Sequence, residues 1–283
     1  MEKPHLCTIA IIQARMGSSR LPGKVLLDIG GEPMLVRVIE RARRAATLSG
    51  VMVATTDDPS DDSVVRLCQE RGYAFYRGSV QDVLDRYYQG SHSQNADIIV
   101  RITADCPVID PAVIDRTVLA YFGETLPQDE VLSRRSTSLN LPPAPGSFDF
   151  TANRLPPPFH RTYPIGLDVE VCSAFALDNA WEHAKEKHDR EHVMPYLYET
   201  AGRFNVLLVN HETDLGSLRW TVDTPEDLEL LRRIYAHFDN HDDFSWLDVL
   251  DLWRNKSELF EINASIRHKT LREIDERSGS SPV

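Results

Sequence analysis

Apolar and polar positions along this chain follow two alternating rhythms. Residues 7–13 (CTIAIIQ) are apolar and β-branched, as in a strand buried on both faces. Between Pro33 and Ser49 the apolar residues Leu35, Val38, Ile39 and Ala42 recur at helical spacing, with Pro33 suited to the first turn and Gly50 to the stop. VMVATT (51–56) predicts a second strand, and Ser60 with Asp61 and Asp62 opens a helix to about Glu70. YAFYR (73–77) predicts a short strand. Ser79 and Asp82 form a capping-box-like start to a helix through about Tyr88. ADIIVRIT (96–103) is a nearly continuous apolar strand, and Asp110-Pro111 caps the next helix. This βαβ alternation with apolar strands predicts a mainly parallel sheet covered on both faces.

Residues 134–164 interrupt the rhythm. They hold seven of the 17 prolines and read as a surface loop or insertion, with a partner-recognition segment as the alternative. Beyond them LDVEV (167–171), NVLLVN (205–210) and LRWTV (218–222) predict strands, and helices are expected near 173–187, 190–201 and 225–238. Residues 244–274 are amphipathic and predict helix, and the final SGSSPV predicts disorder. The expected organisation is an α/β domain over 1–240 with the proline-rich insertion, a helical extension over 241–275 and a disordered tail over 276–283.

The 283 residues are 42% hydrophobic and suffice for one sizeable core. A net charge of −12 argues against nucleic-acid binding by charge, so a local cluster of cations is specific. The four cysteines, Cys7, Cys68, Cys106 and Cys172, contain no C-x-x-C pair and fit neither a disulfide scaffold nor a zinc site. The N-terminal apolar stretch is too short for a signal peptide, and no run of about 18 apolar residues could span a membrane. A reduced, cytoplasmic protein with no membrane or nucleic-acid partner is expected.

The local cluster follows the first strand, in IIQARMGSSRLPGKVLL (11–27). Arg15, Arg20 and Lys24 supply charge, Ser18 and Ser19 supply hydroxyls, and Gly17 and Gly23 permit close backbone approach. Ligands of open parallel sheets bind beyond the carboxyl ends of the strands, and this chemistry suits a polyphosphate. A solvated cationic turn is the plain alternative. The spacing is neither that of a P-loop, since Val25 follows Lys24, nor that of G-x-G-x-x-G. Two acids also stand at strand ends, Asp105 and Asp223. A turn residue explains the first equally well, and the helix start at Thr224-Pro225 the second. Arg101 inside an apolar strand needs a partner, either a core acid or a ligand.

R-M-G-S-S-R-L-P-G-K-V-L resembles the signature of nucleotidyltransferases that make CMP-activated sugars and acids, nearest to the spore-coat polysaccharide biosynthesis protein F family. CMP-3-deoxy-manno-octulosonate and CMP-acylneuraminate synthetases are more distant relatives. IIVRITADCPVIDP (98–111), RTYPIGLDVEV (161–171), DREHVMPYLYE (189–199), LRWTVDTPEDLELLRRIY (218–235) and residues 244–266 extend the resemblance in order over nearly the whole chain. It implies a three-layer α/β/α nucleotide-diphospho-sugar transferase fold, glycosyltransferase-A-like, with a mainly parallel mixed sheet. It further implies Mg²⁺-dependent transfer of CMP from CTP to an acidic sugar or other small acid in surface polysaccharide or glycoconjugate biosynthesis, with release of pyrophosphate. Family habit and the acidic surface favour a homodimer.

By this resemblance Asp105 and Asp223 bind the metal, and Arg15 and Lys24 act with them on the nucleotide phosphates. Arg20 orients the loop, and Gln13 and Ala14 present backbone groups to the base. Gly17, Ser18, Ser19, Thr55, Asp57, Arg77 and Arg101 are further candidates for the nucleotide pocket. Asn153, Arg161, Asp168, Glu170 and His192 are candidates for the acceptor, with Arg190, Glu191 and His192 opening a helix. Thr103, Ala104 and Cys106 depart from the sugar-acid synthetases, which leaves a phosphonate or polyol phosphate open as acceptor and another nucleoside triphosphate open as donor. A glycosyltransferase on the same fold would need a D-x-D motif, and Asp149-Phe150 is followed by Thr151. A non-enzymatic scaffold would tolerate loss of Arg15, Lys24 or Asp105, and all three are present. No Ser or Cys has an evident base beside it, so no covalent enzyme intermediate is expected.

Overall fold

The computed structural model describes residues 6–136 and 144–266. Eight strands form one sheet: β1 (Thr8–Gln13), β4 (Gly50–Thr56), β5 (Ala74–Gly78), β6 (Ile98–Thr103), β7 (Glu130–Ser133), β8 (Phe150–Ala152), β9 (Glu170–Ser173) and β10 (Val206–Leu208). Two further strands, β2 (Asp28–Ile29) and β3 (Glu32–Pro33), make a minimal hairpin. The sheet order is β5-β4-β1-β6-β9-β8-β10-β7. The pairs β5–β4, β4–β1 and β1–β6 are parallel, as is β8–β10. The strand β9 runs antiparallel to both its neighbours, and β7 runs antiparallel to β10.

Alternation along β1 explains the three layers. Ala10 and Ile12 enter a core shared with helices Met34–Ala42, Pro111–Tyr121, Pro225–His237 and Trp246–Asn255. Ile9 and Ile11 enter a second core on the other face, with helices Val83–Ser93 and Ala174–His183. A strand buried on both sides shows no polar phase, which is why it reads as a continuous apolar run.

Several boundaries differ from the sequence pattern for local reasons. The helix expected to reach Ser49 ends at Ala42, because the Asp115 carboxylate captures the amides of Ala46 and Thr47 at 3.0 and 2.8 Å. Its Arg37 and Arg41 are buried rather than solvated. Arg41 donates to the carbonyls of Ile109, Asp242 and Phe244, and its guanidinium lies 4.4 Å from the Phe244 ring centre. The helix expected over 190–201 is two short pieces, Lys187–His192 and Pro195–Tyr198, broken by Val193 at positive φ. The proline-rich region is not all loop, since β8 within it is fully buried. Three residues are too few to show a period, so the pattern could not reveal it. At the C-terminus, Trp246–Asn255 is helix and Ser257–Asn263 is a 3₁₀ segment. The rest of the expected helix and the tail lie outside the described residues.

LRWTV is not a strand. Ile165 and Arg219 form an isolated parallel bridge, in which the Ile165 amide donates to Leu218 O and the Trp220 amide to Ile165 O. The Val222 amide then donates to Asp105 O at 2.9 Å, so the segment links two loops instead of extending the sheet. Gly166 makes this possible. Its φ is +108°, and a Cβ there would lie 2.7 Å from the Trp220 carbonyl carbon and 2.9 Å from the Thr221 nitrogen. Gly166→Ala is therefore expected to destabilise the protein by about 2 kcal/mol or more through strain and displaced backbone. Thermal unfolding checks this, with a fall of roughly 4 °C or more expected and an unchanged Tm contradicting it.

Candidate functional site

The parallel register places Gln13 of β1 beside Thr103 of β6, so both strands end at the same sheet edge. Because β9 is antiparallel, the start of that strand arrives at the same edge, with Glu170 paired in register to Arg101. A cleft opens there. It is lined by the loop after β1, the turn after β6, the segment entering β9, His192 with its neighbour Glu191, and the 221–223 stretch.

The loop after β1 is held by its own backbone. Gly23 takes a left-handed φ of +71°, and its amide and that of Ser18 both donate to Met16 O, at 2.9 and 3.0 Å. The Met16 amide donates to Asp61 Oδ1 at 2.6 Å. Ser18 Oγ accepts from the Leu21 amide at 3.4 Å, so this hydroxyl belongs to the turn. Lys24 opens a short 3₁₀ segment that buries Val25.

Lys24 Nζ is the meeting point of three segments. It lies 2.9 Å from Asp105 Oδ2, 2.9 Å from Asp223 Oδ1 and 2.7 Å from Val222 O. Asp105 Oδ1 accepts from Thr103 Oγ1 at 2.5 Å. Asp223 Oδ2 pairs with Arg20 at 3.0 Å and Arg219 at 2.8 Å. Burial by itself would raise the Asp223 pKa, but Lys24, Arg219 and Arg20 outweigh it and hold the carboxyl well below the usual range. Burial likewise works against the Lys24 ammonium, and the two carboxylates outweigh it and raise that pKa. Burial, with Asp105 beside it, pushes the Cys106 thiol well above its ordinary value. A thiol kept protonated is a poor nucleophile. Asp105 and Asp223 form a hard-oxygen donor pair converging on one cationic point, and that donor set fits Mg²⁺.

Of the residues singled out in the sequence, Gln13, Arg15, Gly17, Ser18, Ser19, Arg20, Lys24, Arg101, Asp105, Asp168, Glu170, His192 and Asp223 line the cleft. The two readings of Arg101 merge. It ion-pairs with Glu170 across the strands, donates to Gln13 Oε1 at 3.1 Å, and still faces the cleft. His192 ends its short helix rather than opening one.

Six candidates are not brought into the cleft. The Ala14 amide is bonded to Ala54 O, and Thr55 is fully buried. Asp57 is exposed, and Arg77 serves the carbonyls of Thr56 and Asp58 and pairs with Asp62. Asn153 is buried and fastens a loop through Leu167 O and the Val169 amide. Arg161 stands behind Asp168, donating to both of its oxygens at 2.5 and 3.0 Å.

The structure adds residues the sequence reading passed over. Arg154 lines the cleft 3.6 Å from Asp168, and Tyr198 and Thr221 also contribute. Arg154 lies in the proline-rich stretch, where no period marks it. Arg219 looked like one polar position in an expected strand, and only its i,i+4 spacing to Asp223 and that residue's to Asp227 hinted at a network.

Lys24→Met is expected to destabilise the protein by about 3 kcal/mol at pH 7, because it removes the ammonium between two facing carboxylates and leaves Asp223 only the guanidinium groups of Arg20 and Arg219. With Lys24 present, Asp223 stabilises the fold fully above about pH 4, and that contribution is lost only as pH falls through its depressed folded value. Without Lys24 its pKa rises, so protonation relieves the variant first. The gap between the two proteins in urea unfolding should therefore shrink from pH 7 to pH 3.5. A gap that stays constant would mean that Asp223 does not depend on Lys24.

Comparison with known proteins fits this geometry. Residues 9–236 match the family model described as "Cytidylyltransferase". An uncharacterized protein of Methanocaldococcus jannaschii is 36% identical over 95% of this chain and 99% of its own length. The spore coat polysaccharide biosynthesis protein SpsF of Bacillus subtilis is 29% identical over 86% of this chain and 92% of its own. A solved cytidylyltransferase from Leptospira borgpetersenii superposes with a TM-score of 0.79 at 30% identity, covering 93% of this chain and all of that one.

Proposed function

The chain belongs to the cytidylyltransferase family, and from that premise we propose that it transfers CMP from CTP to an acidic sugar or another small acid destined for surface polysaccharide or glycoconjugate, with Mg²⁺ held by Asp105 and Asp223. The protein is a nucleotidyltransferase enzyme. The observation that carries the finer reading is the Lys24 ammonium between the two aspartates, at the end of a loop whose Arg15 and Arg20 face the same cleft.

The acceptor oxygen attacks the α-phosphorus of CTP in line, and where that oxygen is a hydroxyl its proton passes to solvent or to the departing pyrophosphate. A new P–O bond forms while the bond to the bridging oxygen breaks, and pyrophosphate leaves with that electron pair. Arg15 and Lys24 neutralise charge on the phosphates as it shifts toward the leaving group. Mg²⁺, when bound, supplies further charge neutralisation on the departing pyrophosphate. Arg101, fixed by Glu170 and Gln13, holds the cleft wall at the ends of β1 and β6. Asp168 is shared by Arg161 and the more distant Arg154, which leaves Arg154 able to turn toward an anionic acceptor. His192 lines the same cleft and suits contact with an acceptor carboxylate.

Pyrophosphate release should be measured with Mg²⁺ and each of CTP, ATP, GTP and UTP, against a panel of acidic sugars and small acids. CTP-selective release with at least one acid is expected, falling by about a hundredfold or more in Asp105→Ala. Equal release from the variant, or no binding of CTP, would overturn the reading.

A further inference from the structure

The Asp223 carboxylate is held by a second layer of residues, and that layer draws on the C-terminal extension. Asp227 is fully buried in the first turn of helix Pro225–His237. It accepts from Arg219 Nε and Nη2 at 2.9 Å each, from the Asp223 amide at 2.9 Å and from the Thr224 amide at 3.1 Å. The same Arg219 Nη2 donates to Asp223 Oδ2 at 2.8 Å. Asp227 thus fixes both the backbone of Asp223 and the guanidinium that orients its carboxylate.

One more donor reaches Asp227 from outside this stretch. Asn263, at the end of the 3₁₀ segment Ser257–Asn263, is buried, and its Nδ2 donates to Asp227 Oδ1 at 2.8 Å and to Arg219 O at 3.2 Å. Phe260 is buried in the core that packs the same segment, with Leu259 and Ile262 against it. A surface 3₁₀ turn has no need of a buried amide reaching 36 residues back along the chain to a carboxylate already holding four donors.

We propose that Asn263 is a positioning residue for Asp223. By completing the donor set of Asp227 it locks Arg219 and the Asp223 backbone, so the C-terminal extension sets the aim of a metal-binding oxygen it never touches. Direct partners of metal ligands typically change metal affinity by ten- to a hundredfold when removed, and Asn263, one bond further out, is expected at the low end of that range. The proposal rests on the reading of Asp223 as a metal ligand, and its test reads metal binding rather than turnover, so a failed search for the acceptor leaves it intact.

Binding of Mn²⁺ in the presence of CTP, followed by the EPR signal of the free ion, should be compared for the full-length wild type, N263D and F260L. N263D keeps the side chain's shape but replaces the donor by an acceptor facing Asp227. F260L loosens the same segment without touching the network. N263D should weaken Mn²⁺ about tenfold, F260L should leave it within about twofold, and both should lower Tm. N263A, which adds no charge, should move Mn²⁺ affinity in the same direction by less and serves if N263D does not fold. Wild-type Mn²⁺ affinity in the Asn263 variants, equal weakening in F260L, or a wild type that binds CTP but no Mn²⁺ would each overturn the proposal.

Discussion

One ammonium group joins parts of the chain that are 81 and 199 residues apart. Lys24 sits between Asp105 and Asp223 and touches both, so the loop after β1, the turn after β6 and the 221–223 stretch meet at its ammonium, with the Arg20–Asp223 pair and the Val222 amide on Asp105 O beside it. Its burial would be prohibitive alone and is offset because both carboxylates face it. The same proximity serves the chemistry. Two carboxylates and a cluster of cations around one small volume form a site that can hold polyphosphate charge and change little as that charge moves.

The sheet makes that convergence possible. Four parallel strands put their carboxyl ends along one edge, where loops rather than regular structure must form. The reversal at β9 is equally important, because it delivers Asp168 and Glu170 to the same edge from the opposite direction. The Arg101–Glu170 pair is a product of that reversal. It is a cross-strand pair in register, so the geometry of the cleft wall is fixed by the sheet's own hydrogen bonding.

Polar groups buried behind the cleft transmit order to it. Arg41 ties the first helix to residues 242–244 through backbone carbonyls, and Arg219 ties Asp223 to Asp227 and, through it, to Asn263. Each group is satisfied, so the network is rigid rather than strained. The extension after residue 240 is therefore part of the structure that frames the site, although none of its described residues lines the cleft.

By itself the sequence determined the alternation of apolar strands and amphipathic helices, and hence a parallel sheet with two covered faces. It also determined the cation loop and the acids at the ends of two segments, because residue type and neighbours carry that information locally. The tertiary structure decided what local pattern cannot encode. The chain fragment β8 is too short to show a period, and LRWTV looks like a strand until Gly166 lets it cross as a bridge. Arg37 and Arg41 are buried only because the fold supplies acceptors, the nearby Ile29 and Gly30 carbonyls with the Asp242 carboxylate for Arg37 and carbonyls of distant turns for Arg41. Arg77 and Asn153 have the right chemistry for a ligand site, yet the fold gives them carbonyls and amides of their own. Hydrogen-bond partners are assigned by three-dimensional proximity, and proximity across some 200 residues is written only in the packed chain.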